Sequence, residues 1–140
     1  MITDIYVDGS FKNSKYAWAF VAYQNGEEIY STYGVGMNDD AVSMRNVAGE
    51  LSAAMRGVNW AIKERLGKIV IHHDYTGIAA WVTGAWKAKK GMTQKYAAFM
   101  RPHYLNGLVQ FQQVTGHSGN KGNDRADKLA RNAFDLEDGA

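Results

Sequence analysis

Lys68-Ile69-Val70-Ile71-His72-His73-Asp74 is a short apolar run closed by an acid. Its apolar residues are consecutive rather than alternate, so both faces of a strand built from them need cover. The run reads as a buried parallel strand, and parallel pairing requires a crossover before it. That crossover lies just upstream. From Ser43, the expected N-cap, to Leu66 the residues Val47, Leu51, Ala54, Met55, Val58, Ala61 and Ile62 recur at helical spacing, and Gly67 ends the helix.

The chain before that helix is different in kind. Ile2 to Ser10 alternates and is β-rich, and Lys12-Asn13-Ser14 supplies a turn. Tyr16 to Tyr23 is a second strand, Asn25-Gly26 a tight hairpin turn, and Glu28 to Val35 a third strand. Beyond Asp74 a brief helix is expected over Thr76 to Val82, another over Thr93 to Tyr104, and a fifth strand over Val109 to Thr115. A last helix begins near Asn123, with Ala126, Leu129, Ala130, Ala133 and Phe134 on one face. The order β-β-β-α-β-α-α-β-α predicts an α/β fold. Its mixed five-stranded sheet has three antiparallel then two parallel strands, with helices on both faces.

At 140 residues the chain suits one domain, residues 1–140, with 46% apolar residues and no low-complexity tract. No apolar stretch approaches the ~18–20 residues of a membrane span. The strand-like start at Ile2 does not read as a signal peptide. Zero cysteines exclude disulfides, thiolate catalysis and Cys-ligated zinc, and make a cytoplasmic location the default expectation. Net charge is only +2, so no global basic field marks the chain. Lys87, Lys89, Lys90, Lys95 and Arg101 nevertheless fall close together, interleaved with Trp81, Trp86 and Tyr96. That pattern suits a phosphate backbone, and equally a solvated face.

Four acids stand where a folded chain least tolerates them. Asp8 ends the apolar run Ile5-Tyr6-Val7, and Asp74 ends the parallel strand in the same manner. Ligands of open α/β sheets gather at the carboxyl ends of strands, near a change in strand order. If those two strands are neighbours, Asp8 and Asp74 stand side by side, and both cannot ionise comfortably without a cation. Counting ~100° per residue puts Glu50 and Asp127 on the flanks of their helices' apolar stripes, with Asp124 pointing further away. Each acid alone has an ordinary reading: a strand-end cap, a solvated helix residue, an N-cap for Asp74, or an i,i+4 partner of Arg131 for Asp127. Together, and with no Lys or Arg beside three of them, they point to a divalent metal. His72 and His73 suit structural roles and His103 the surface. His117 lies in the glycine-rich Thr115-Gly116-His117-Ser118-Gly119-Asn120, where a proton carrier fits better than a packing role.

Five segments, in order, resemble type 1 ribonuclease H over essentially the whole chain. They are Tyr6-Val7-Asp8-Gly9-Ser10, Asn46-Val47-Ala48-Gly49-Glu50-Leu51, His73-Asp74-Tyr75-Thr76-Gly77-Ile78, the His117 loop, and Asn123-Asp124-Arg125-Ala126-Asp127-Lys128-Leu129-Ala130. The resemblance is to a compact form. Trp86-Lys87-Ala88-Lys89-Lys90-Gly91 leads straight to the next helix, with no extended basic protrusion.

The resemblance implies a ribonuclease H-like fold and an enzyme that cuts the RNA strand of RNA–DNA hybrids, leaving 5′-phosphate and 3′-hydroxyl ends. Two Mg²⁺ ions (Mn²⁺ as an alternative) ~3.5–4 Å apart would be held by Asp8, Glu50, Asp74 and Asp127. His117 would relay protons, and Asp124 would have a supporting role. Substrate contacts are expected from Gly9, Ser10, Arg45, Asn46, Thr76, Lys87, Lys89 and Lys90, reading 2′-hydroxyls and phosphates rather than bases. The expected partner is the hybrid duplex, with no membrane and no obligate protein partner, the enzyme acting as a monomer. A DNA-cutting or strand-transferring relative of the same fold, or a hybrid-binding domain without activity, would be the rival readings.

Overall fold

A computed structural model describes residues 1–37, 43–116 and 119–138. The strands are β1 (Thr3–Lys12), β2 (Lys15–Gln24), β3 (Glu27–Gly36), β4 (Ile69–His73) and β5 (Val109–Gln113). The helices are α1 (Asn46–Lys63), α2 (Gly77–Thr83), α3 (Gly91–Leu105) and α4 (Lys121–Asp138). They form one sheet of order β3-β2-β1-β4-β5. The first three strands are antiparallel, while β4 runs parallel to β1 and to β5. The expected element order and sheet type therefore hold.

Local chemistry explains both hairpins. Asn25 and Gly26 take φ of 52° and 80°, and Asn13 and Ser14 take 53° and 62°. Two successive positive-φ residues give the turn whose twist matches that of paired strands. β1 pairs with β2 from Asp4 to Lys12 but with β4 only from Thr3 to Tyr6. Asp8 thus lies just past the end of the parallel pairing, where strand order reverses.

α1, α2 and α3 cover one face of the sheet, burying Ile5, Phe20, Leu51, Val58, Ile71, Ile78, Tyr96 and Met100 together. α4 covers the other, setting Ala126, Ala133 and Phe134 against Ala17, Val21 and Tyr23. β2 lies between both layers, which is why Ala17 to Tyr23 is buried throughout. Among the described residues no helix is long and apolar enough to cross a membrane.

All four helix starts shift by one to three residues from expectation, Thr76 to Gly77 and Thr93 to Gly91 among them, and two of the shifts have a visible cause. α1 begins at Asn46 rather than Ser43, because Arg45 takes φ 55°, a left-handed conformation that a helix cannot pass through. α4 begins at Lys121, before Asn123, because the Asn120 side chain accepts the Asn123 N–H at 2.9 Å and so acts as the cap.

Candidate active site

Asp8 lies within β1, just beyond its parallel pairing with β4, with its Oδ1 accepting the Gly9 N–H at 2.8 Å. Asp74 follows the last residue of β4. Glu50 arrives from α1, and the reason it reaches so far is a contact between glycines. A Cβ on Gly49 would lie 1.9 Å from the Ala17 carbonyl oxygen and 2.9 Å from the Gly9 Cα. One on Gly9 would lie 2.3 Å from the Asn46 oxygen and 2.5 Å from the Glu50 nitrogen. Helix backbone therefore rests directly on strand backbone, which takes Glu50 from the expected flank into the interior. The open side of Gly9, expected to admit a ligand, is occupied by α1 at these atoms. Gly49→Ala is expected to cost at least ~2–3 kcal/mol, as overpacking against rigid backbone does. A thermal melt matching that of the parent protein would show that the crossing has room for a methyl.

Carboxylate oxygens of Asp8, Glu50 and Asp74 all lie within 4.8 Å of one another. Asp8 and Glu50 are only 5% and 4% exposed. No described Lys or Arg forms an ion pair with any of the three; Glu50 Oε2 is buried with no hydrogen-bond partner. The consequence is electrostatic. Burial, then the charge of Asp74, pushes the Asp8 carboxyl up to about 7. Burial, then Asp8 and Asp74, pushes Glu50 up to about 10. Without a cation the cluster holds protons at neutral pH. An orphaned oxygen and hard carboxylate donors with no balancing charge fit a hard divalent cation.

Asp127, half-buried on α4, lies within hydrogen-bonding reach of Asp8 and also pairs with Arg131 Nη2 at 3.0 Å. The i,i+4 pair read from the sequence is therefore present, on the side of α4 that faces Asp8. Asp124 is exposed, beside Lys121 and Lys128 in a separate polar groove. His117 and Ser118 lie outside the described residues. Asp74 is not the cap of α2, whose N-cap is Thr76.

His72 and His73 serve the scaffold, as their alternation suggested. His72 Nε2 meets Asp4 Oδ1 at 2.8 Å and its ring stacks on Tyr6 at 4.3 Å. His73 is buried, and its Nδ1–H donates to the Tyr75 carbonyl at 2.8 Å. Burial lowers its pKa and keeps the ring neutral.

The remaining candidates surround this cluster. Arg45 and Asn46 are exposed at the start of α1, Ser10 is half-buried and Thr76 exposed. Lys87, Lys89 and Lys90 line a cleft of about 320 Å³ with Tyr75, Trp81 and Met44. Tyr75, Trp81 and Trp86 form an aromatic group with ring centroids 5.5 to 6.0 Å apart. The basic, aromatic segment of the sequence is divided by the fold. Tyr96 is fully buried and donates to the Ile78 carbonyl. Arg101 donates to the carbonyls of Trp81 (3.0 Å) and Val82 (3.1 Å), closing the end of α2. Sequence reasoning missed Gly49, whose pairing with Gly9 becomes visible only once helix and strand are known to cross.

Acids converging from β1, α1, β4 and α4 where such a sheet changes direction define a protein of the ribonuclease H-like fold. LC11-RNase H1, solved in complex with an RNA/DNA hybrid, has this fold at a TM-score of 0.75 and 16% identity, over 96% of this chain and 98% of that one. The holo form of a ribonuclease H domain from D. hafniense is 40% identical at a TM-score of 0.55, over 96% and 89%. Human Ribonuclease H1 is 32% identical over 99 residues, 61% of this chain, which covers only 34% of the human protein's length. The RNase H family model matches residues 2–135, and the chain belongs to that family.

Proposed function

We propose that this chain is an endonuclease hydrolysing the RNA strand of RNA–DNA hybrids by two-metal-ion catalysis, leaving 5′-phosphate and 3′-hydroxyl ends. The observation that carries the reading is the uncompensated cluster of Asp8, Glu50 and Asp74 within 4.8 Å, in a member of this family. Asp8, Glu50, Asp74 and Asp127 would hold Mg²⁺, with Mn²⁺ as a substitute. Bound there, divalent ions supply Lewis acidity at the scissile phosphate and a water of lowered pKa.

The chain's own groups do the rest. Glu50 would accept from a ribose 2′-hydroxyl as well as hold metal. Asn46, Thr76 and backbone at Ser10 would contact neighbouring sugars, the feature that separates RNA from DNA. His117 would carry protons as product leaves, and Arg45 would meet a phosphate.

The lysine-lined cleft beside Trp81 and Tyr75 suits the backbone of the uncut strand. Replacing Lys87, Lys89 and Lys90 together by alanine is expected to flatten the slope of log affinity against log salt by ~2–3, since each phosphate contact contributes ~0.9. Fluorescence anisotropy on a labelled hybrid measures this, and an unchanged slope would place the contact elsewhere.

The deciding experiment incubates the protein with RNA–DNA, RNA–RNA, DNA–DNA and single-stranded RNA, in Mg²⁺, Mn²⁺ or EDTA. Metal-dependent cutting confined to the RNA of the hybrid is expected. Binding without cutting would make the chain an inactive hybrid-binding domain, and cutting of DNA would move it to the strand-transferring relatives.

A further inference from the structure

The segment that carries Asp74 leaves β4 with every carbonyl held. The His73 oxygen accepts the Val114 N–H at 2.8 Å, and the Tyr75 oxygen accepts from His73 Nδ1 at 2.8 Å. Between them, the Asp74 oxygen accepts from Gln113 Nε2 at 3.2 Å. The same amide nitrogen donates to Thr76 Oγ1 at 2.9 Å. Gln113 is the last residue of β5 and stands opposite His73, the final pair of the parallel ladder. One side-chain amide therefore continues the ladder past its end, with both its hydrogens committed to the segment that bears a candidate metal ligand.

The geometry has two effects on the site. A carbonyl held at Asp74 restricts rotation of the peptide from which its carboxyl projects, so the acid is aimed at Asp8 and Glu50 rather than left free at a strand end. Thr76 Oγ1, occupied as an acceptor, keeps its own hydrogen for an acceptor outside, which biases the hydroxyl towards donating. Gln113 is itself exposed, and its bonds lie at the surface. Its two bonds tie the end of β5 to the segment that bears Asp74. Side chains that orient metal ligands by hydrogen bonds commonly govern metal affinity by ~10–100-fold.

We infer that Gln113 is a positioning residue, one that sets the divalent-metal affinity of the cluster by clamping Asp74 and fixes Thr76 as a donor. The inference rests on the metal-holding role proposed above for Asp74. Gln113→Met and Gln113→Leu remove both donors at similar volume and leave the charge unchanged. In the full chain each is expected to weaken Mg²⁺ binding by about 10-fold or more, measured by calorimetry on the protein without nucleic acid. The Mg²⁺ concentration for half-maximal cleavage should move by the same factor, while the melting temperature in EDTA stays within ~2 °C of the parent, as for a surface change.

Unchanged Mg²⁺ affinity in both variants would overturn the inference while leaving the proposed function intact. A loss of affinity accompanied by a large fall in metal-free melting temperature would also overturn it, by making Gln113 a stability residue. Failure of the parent protein to bind Mg²⁺ or Mn²⁺ at all would remove the proposed function and this inference with it.

Discussion

Asp8→Asn is expected to lower cleavage of a hybrid by at least ~10³-fold, about 4 kcal/mol of barrier, while making the metal-free protein more stable at pH 8. The two effects share one cause. Asp8 is 5% exposed and faces Asp74, Glu50 and Asp127, and no described Lys or Arg pairs with it. The fold bears that cost, and removal of the charge relieves it. Asn preserves volume and a hydrogen-bond acceptor for the Gly9 N–H. Single-turnover cleavage and a melt in EDTA read the two effects separately. Robust cleavage by the variant would falsify the assignment of Asp8 to metal. Unaltered stability with cleavage lost would show that the charge is tolerated by a means other than the absent cation.

Raising pH should destabilise the metal-free protein, and Mg²⁺ should reverse the trend. Asp8 and Glu50 are acids whose folded pKa values, about 7 and about 10, exceed their ordinary 3.8 and 4.5. Between those limits the folded state binds more protons than the unfolded one, so their favourable contribution is complete at low pH and lost as pH rises. His73 works in the opposite sense, since its lowered pKa costs stability on acidification, but that contribution is constant above its ordinary 6.5. From pH 6.5 to 9 the fall therefore belongs to the carboxylates, Asp8 up to about 7 and Glu50 beyond. At 1.36 kcal/mol per pKa unit, Glu50 alone gives a loss of ~3 kcal/mol and Asp8 just under ~1, so ~4 kcal/mol in all, or ~10–15 °C. Melts in EDTA across that range test it, with Glu50→Gln expected to flatten the curve. A melting temperature that rises with pH in EDTA would contradict the electrostatics of the cluster.

The sheet was legible because its signals are local. Consecutive apolar residues at Ile69 to Ile71, the Asn25-Gly26 turn and the helical spacing from Val47 each report their own conformation. The positions of Asp8 and Asp74 followed from the ends of two apolar runs, although β1 itself continues past Asp8 to Lys12. Glu50 was only half legible. A helical wheel assumes one buried face, whereas the first half of α1 is buried from Ala48 through Ala54 by a backbone contact that no single helix reveals. Helix starts failed for a related reason. Ser43 is a good cap by composition, but Arg45 turns the chain left-handed after it. Arg101 resembled a phosphate contact until the fold placed two carbonyls of α2 within its reach.

The glycine crossing of α1 over β1 makes the separation of Asp8 and Glu50 a hard-sphere quantity. Side-chain packing can soften or re-form by rotamer change, whereas peptide groups in contact have no such freedom. The spacing of the two carboxylates is then governed by a gauge block rather than a spring. Substitutions in the remote core, at Val58 or Met100 for instance, should lower the temperature at which activity is lost without altering the rate below it. A rate plot for such variants that bends well before the melting transition would show that the gauge yields.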